Sequence, residues 1–101
     1  EGGFCWQHPE KDLLLKFVCD AQTGAVLGIN TLGIRLRHEI CDHWISFGTH
    51  IEQALQQLPD ANFDPEFYKR YETNILDKYN MENGATLKPK KRSWKRILQL
   101  Q

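Results

Sequence analysis

Along the first third of the chain, apolar residues alternate with polar ones; beyond it they recur at helical spacing. Phe4 and Trp6 flank Cys5, a period of two that predicts a short edge strand over 2–7. His8, Pro9, Glu10 and Lys11 then read as a turn, because proline fixes its own backbone and extends the residue before it. Leu13, Leu15, Phe17 and Cys19 share one face of the next strand, and Leu14, Lys16 and Val18 share the other. Both faces are largely apolar, which predicts a strand covered on both sides. Residues 20–24, from Asp20 to Gly24, form a hairpin loop, and a second strand over 25–32 ends at Gly33.

The period then changes to three and four. Leu36, Ile40, Trp44 and Phe47 make one apolar stripe, predicting a helix over 35–47 that Gly48 stops. Thr49 followed by Glu52 has the form of a capping box for a second helix. That helix buries Ile51, Ala54, Leu55 and Leu58 and ends at Pro59, leaving 59–64 as an irregular loop. Asp64, Pro65 and Glu66 supply a cap, a first-turn proline and an acid for a third helix, expected to run to about Asn80. Its stripe is Tyr68, Tyr71, Ile75 and Tyr79 with Leu76 beside it; tyrosines in such a stripe suit either the domain's own sheet or a subunit interface. Strands first and helices after predict an α+β domain, a small antiparallel sheet (hairpin plus short edge strand) followed by about three helices packed on one side.

Bulk composition changes this picture little. A chain of 101 residues with 41% hydrophobic and 26% charged residues is ordinary for one small globular domain. No apolar run approaches the ~20 residues needed to span a bilayer, so no membrane role is expected. Glu1, Gly2 and Gly3 lack the basic start and apolar stretch of a secretory leader, and an initiating methionine; the expectation is a cut inside a longer protein. Cys5, Cys19 and Cys41 are an odd, widely spaced set, suggesting reduced thiols in a cytoplasmic protein.

Charge divides the chain in two. Residues 1–83 hold all thirteen acids against seven bases, a formal −6, whereas residues 84–101 hold six bases and no acid. The expected organisation is a body over 1–83 and a basic tail over 84–101. The tail has three readings: contact with the acidic body or a partner copy, contact with nucleic acid or another acidic partner, and nuclear localisation. Trp94 among cations suits base stacking, and Trp94, Ile97 and Leu98 share a face if 93–100 is helical.

Candidate chemistry is sparse. The segment RLRHEICDHWI, residues 35–45, carries His38, Glu39, Cys41, Asp42 and His43. Two histidines five apart lie about 140° from each other around a helix, unlike the i, i+4 pair of a zincin. His38 and Cys41 share a face, but they need Cys5 or His8 to complete a metal site, so no metal is expected and a polar helix face is. Arg35 and Arg37 are able to meet a phosphate or carboxylate. Gly24, Gly28 and Gly33 do not make the strand-to-helix G-x-G-x-x-G of a dinucleotide fold and read as turn and close-packing glycines.

The hairpin LLLKFVCDAQTGAVLGINTLG, residues 13–33, and above all its second half TGAVLGINTLG, resembles the strand pair in the C-terminal interface domain of FAD- and NAD(P)-dependent flavoprotein reductases, the pyridine nucleotide-disulfide oxidoreductase family. The resemblance covers roughly residues 4–65. It implies a dimerisation domain, inactive in isolation, with FAD and NAD(P) bound by upstream domains of the same chain and a homodimer as the assembly. Disulfide-reducing members carry His-Pro-Thr-x-x-Glu in the loop after the second helix. The loop here reads LPDANFD, residues 58–64, without that His or Glu, so no catalytic residue is carried over and a non-disulfide electron acceptor is implied. Asn62 and Phe63 are the residues that the resemblance brings near a flavin. The alternative is a small adaptor that binds nucleic acid or an acidic partner through its tail; a hydrolase built on a metal at His38, Cys41 and His43 is a third, weaker possibility.

Overall fold

A computed structural model describes residues 2–89. Three strands, β1 (Gly2–Gln7), β2 (Leu14–Cys19) and β3 (Val26–Leu32), precede three helices, α1 (His38–Ser46), α2 (Ile51–Ala61) and α3 (Pro65–Asn83). The strands form one antiparallel sheet in the order β1-β2-β3, and the fold is α+β as the pattern predicts. Phe4 pairs with Phe17 and Phe17 with Ile29, which lays the core-facing residues across all three strands. The Asp20 carboxylate accepts from the backbone N–H groups of Gln22 and Thr23 at 2.8 and 3.0 Å, closing the hairpin. Val18 pairs with Gly28 and Cys19 with Val26, so Leu27 is the extra residue of a β-bulge.

The helices return to the same side of the sheet. Trp44 on α1, Leu55 and Leu58 on α2, and Tyr68, Ile75 and Leu76 on α3 are buried with Leu15 and Phe17 of β2. Tyr79 packs edge-on to Phe4 at 5.4 Å and Tyr71 against Trp6 at 5.7 Å, so these tyrosines line the chain's own sheet.

Helix boundaries depart from the pattern where backbone pairing intervenes. α1 starts at His38 rather than near Arg35, because Arg37 N–H donates to Ala61 C=O at 2.7 Å and Phe63 N–H to Arg35 C=O at 3.1 Å. Those bonds hold the segment before α1 extended beside the end of α2, with Leu36 bridged to Asn62. The Thr49 capping box does not form. Thr49 C=O accepts from Val26 N–H at 2.8 Å and Ala25 bridges His50, so both residues are held at the start of β3. His50 is the cap instead, its Nδ1 accepting from Glu52 N–H at 3.1 Å. Pro59 does not end α2, which runs through it to Ala61. Leu55, Leu58 and Ala61 are all buried, and their packing outweighs one lost backbone bond near the helix end. Phe47 falls off the α1 stripe: it is 74% exposed, its ring 4.4 Å from that of His43.

α3 follows the sequence at its start, where Asp64 accepts from Phe67 N–H at 3.0 Å, and Gly84 follows its last residue. The body continues past that point. Asn80 bonds both N–H and C=O of Leu87, and Ala85 and Leu87 pack against the core. The expectations for Trp94, Ile97 and Leu98 lie outside the described residues.

Among the described residues, β2 is not covered on both sides. Lys16 is exposed on its second face, and no described element lies over that face. The three helices bury their apolar residues with Leu15 and Phe17, on one side of the sheet, and leave the other face open among the described residues.

Glu72 lies one turn beyond Tyr68 on α3, at the edge of burial. Burial holds its carboxyl above the ordinary 4.5, with Lys69 partly offsetting it. A carboxyl raised in the folded state contributes stability below its unfolded pKa and loses it as pH climbs through the folded one. Glu72→Gln is therefore expected to raise the urea midpoint at neutral pH and to leave it unchanged at acid pH below the unfolded pKa. Urea titrations at the two pH values check this; an unchanged neutral midpoint contradicts it.

Candidate functional site

Four places on the molecule bring functional groups together, and they differ in what their groups are free to do. The first is the turn between α2 and α3, which holds Asn62 and Phe63. Asn62 is buried, and its Nδ2 donates to Leu58 C=O at 2.7 Å. That amide closes the end of α2. Phe63 points outward at 59% exposure, with the Arg37 guanidinium 5.1 Å from its ring centroid. The pair offers a flat aromatic face backed by a cation, and Arg35 is exposed two residues earlier. Of the two residues, the Asn62 side chain is thus interior and the Phe63 ring is at the surface.

The second is a groove of about 410 Å³ between α1 and α2, lined by Glu39, Ile40, His43, Trp44, Gln57 and Asp60. Its floor is the buried Trp44, whose Nε1 donates to Gln57 Oε1 at 2.7 Å. Glu39, Ile40, His43 and Trp44 of the RLRHEICDHWI segment line the groove. Among the described residues, no three His, Cys, Asp or Glu side chains are placed to hold a metal ion. Cys5 lies on the far face of the sheet from α1. His8 Nδ1 accepts from the N–H groups of Glu10 and Lys11, both at 3.0 Å, with its ring edge-on to Trp6 and Tyr71. Neither is available to His38 and Cys41. Burial, then Asp42 and Glu39, raises the Cys41 thiol, which disfavours a thiolate there.

The third is a cleft of about 280 Å³ where the hairpin meets the start of α2 and the end of α3. Cys19, Asp20, His50, Glu52, Tyr79 and Asn83 line it. Sequence reading misses His50 because it has no motif partner; the signal present is a histidine one residue ahead of a helical apolar run. His50 Nδ1 is occupied as the cap, so the neutral ring carries its proton on Nε2. Tyr79 donates its hydroxyl to Glu52 Oε2 at 2.9 Å. Burial, then that carboxylate, raises Tyr79 far above the phenol range, and burial raises Cys19 as well. The cleft therefore holds a phenol tied to Glu52 and a buried thiol, both favoured in their protonated forms.

The fourth is the open face of the sheet. Leu14 pairs with Leu32, Val18 with Gly28, and Lys16 with Asn30, so these residues share the side away from the helices. Leu32 is 57% exposed there, with Leu14, Val18 and Cys5 half-buried beside it. This face mixes the apolar Leu14, Val18 and Leu32 with the polar Gln7 and Asn30 and one cation, Lys16. Its chemistry is that of contact. No helix among the described residues is long and apolar enough to cross a membrane. The chain matches no protein-family model, no curated protein and no solved structure.

Proposed function

We propose that this chain is an association module, the C-terminal interface domain of a flavin-dependent NAD(P)H oxidoreductase. The observation that carries the reading is the sheet with its described helices on one face and, on the other, Leu32 exposed with Leu14 and Val18 half-buried beside it. A side chain such as Leu loses about 1.5–3 kcal/mol when left in water rather than buried, so a patch of this kind favours a protein surface over it. In this reading the face seats on the upstream domains that bind FAD and NAD(P), and a second copy completes a homodimer. The flavin family enters through the hairpin at residues 13–33. Of the two loop residues expected near a flavin, Phe63 with Arg37 above its ring is the one able to lie against a planar ligand; the Asn62 amide is committed to Leu58. Three free cysteines suit a reducing compartment, and the reading places the protein in the cytoplasm.

The test is to express the full open reading frame that contains this chain and examine the product for bound flavin. The expected result is a yellow protein whose flavin is released on denaturation, with this segment alone colourless and inactive. A colourless full-length product, or flavin bound by the isolated segment, overturns the reading.

A further inference from the structure

We propose that β3 is the subunit contact: it pairs antiparallel with β3 of a second copy about a two-fold axis through Asn30, joining two sheets into one of six strands. The inference rests on the association reading above and gives its dimer a place.

The two margins of the sheet differ. On β1, the Lys78 ammonium donates to the carbonyl of Cys5, and its charge lies 5.7 Å from the Phe4 ring. A lysine on an edge strand is a common guard against strand addition. On β3, only the first residue is taken, by the Val26 N–H to Thr49 C=O bond. From Leu27 to Leu32, no described group outside the sheet hydrogen-bonds the backbone. Alternate N–H and C=O groups on that stretch face outward, as on any edge strand.

β3 suits a copy of itself. Residues 25–34 contain no charge and no proline, so self-pairing sets no like charges opposite each other and blocks no ladder bond. Centring the pair on Asn30 places Ile29 opposite Thr31 of the second copy, and Asn30 opposite Asn30, where two amides can exchange hydrogen bonds. It also places Leu32 opposite Gly28 of the second copy. A Cβ built on Gly28 would meet nothing nearer than Val18 Cβ at 3.9 Å, so there is room over the glycine for a leucine side chain. The bulge at Leu27 and the Thr49 contact at Val26 end the pairing on one side, and the turn at Gly33 ends it on the other. The two Lys16 side chains, one strand in from the axis, stand three strand spacings apart, roughly 14 Å, which is beyond the ~8 Å screening length in physiological salt.

The experiment is sedimentation of the 101-residue chain with two variants. Wild type is expected to dimerise, and Asn30→Lys, which brings two ammonium groups together on the axis, to weaken the dimer by about tenfold or more. Asn30 is exposed, and an unchanged far-ultraviolet spectrum establishes that this variant folds. Asn30→Cys is expected to form a disulfide-linked dimer under mild oxidation that wild type, with its own three cysteines, does not form. A wild-type chain monomeric at about 100 µM overturns the proposal. So does a dimer that neither Asn30→Lys weakens nor Asn30→Cys cross-links; in that case the subunits meet elsewhere. Loss of flavin from the full-length protein, by contrast, bears on the oxidoreductase reading and leaves this pairing standing.

Discussion

Trp44→Ala is expected to remove about 3–5 kcal/mol of stability, a large part of what a domain of this size has. The indole is fully buried and ties two layers together. Its ring lies 6.2 Å from that of Phe17 on β2, and its Nε1 bonds Gln57 on α2. Alanine leaves a cavity that neither the sheet nor α2 can close, because each is fixed by its own backbone bonds. Trp44→Phe keeps most of the volume and loses the bond to Gln57, with an expected cost of about 1–2 kcal/mol. Urea unfolding of both variants checks the result. Equal losses would mean that the hydrogen bond, rather than the volume, carries the position.

The second large effect is expected at Gly33, where β3 hands over to the segment before α1. Its φ is 73°, a conformation that side chains other than glycine rarely adopt. An added Cβ would also stand 2.7 Å from the carbonyl oxygen of Asp12 and 2.6 Å from Leu13 Cδ2. The carbonyl belongs to a turn held by the Leu13 N–H to Lys11 C=O and His8 N–H to Leu13 C=O bonds, so it cannot simply step aside. Gly33→Ala is expected to cost about 2–4 kcal/mol, combining backbone strain with displacement of that turn. Gly84 is the matched comparison. Its φ is 63° and an added methyl would meet nothing within 4 Å, so Gly84→Ala is expected to cost only the strain, about 1 kcal/mol. Urea midpoints of the two variants isolate the contact contribution, and equal midpoints would rule it out.

The strands are legible in the sequence because alternation is a short-range property. Phe4 and Trp6, and Leu13, Leu15, Phe17 and Cys19, reveal their common face without any knowledge of the rest of the chain, and all six are buried. The stripe of α3 is legible for the same reason. What local pattern misses is set by contacts distant in sequence. The start of α1 depends on Ala61 and Phe63, and the cap of α2 depends on Gly24, Ala25 and Val26, none of which a window around Thr49 contains. The persistence of α2 through Pro59 depends on what Leu58 and Ala61 are packed against. The candidate site is legible only in part. An exposed Phe63 and an inward Asn62 are adjacent in sequence and differ only because one amide found the Leu58 carbonyl. The open sheet face reads as a buried one, since Leu14 and Val18 look the same whether the cover comes from this chain or from another.

The Lys78 contact on β1 has a consequence for how large an assembly can become. A sheet bare along both margins adds copies without end and builds fibres. With the Cys5 carbonyl of one margin taken by an ammonium group, the proposed joining along the other uses the vacant side of each molecule. In the pairing proposed above, growth would stop at the pair, with a single side chain from α3 guarding the other margin.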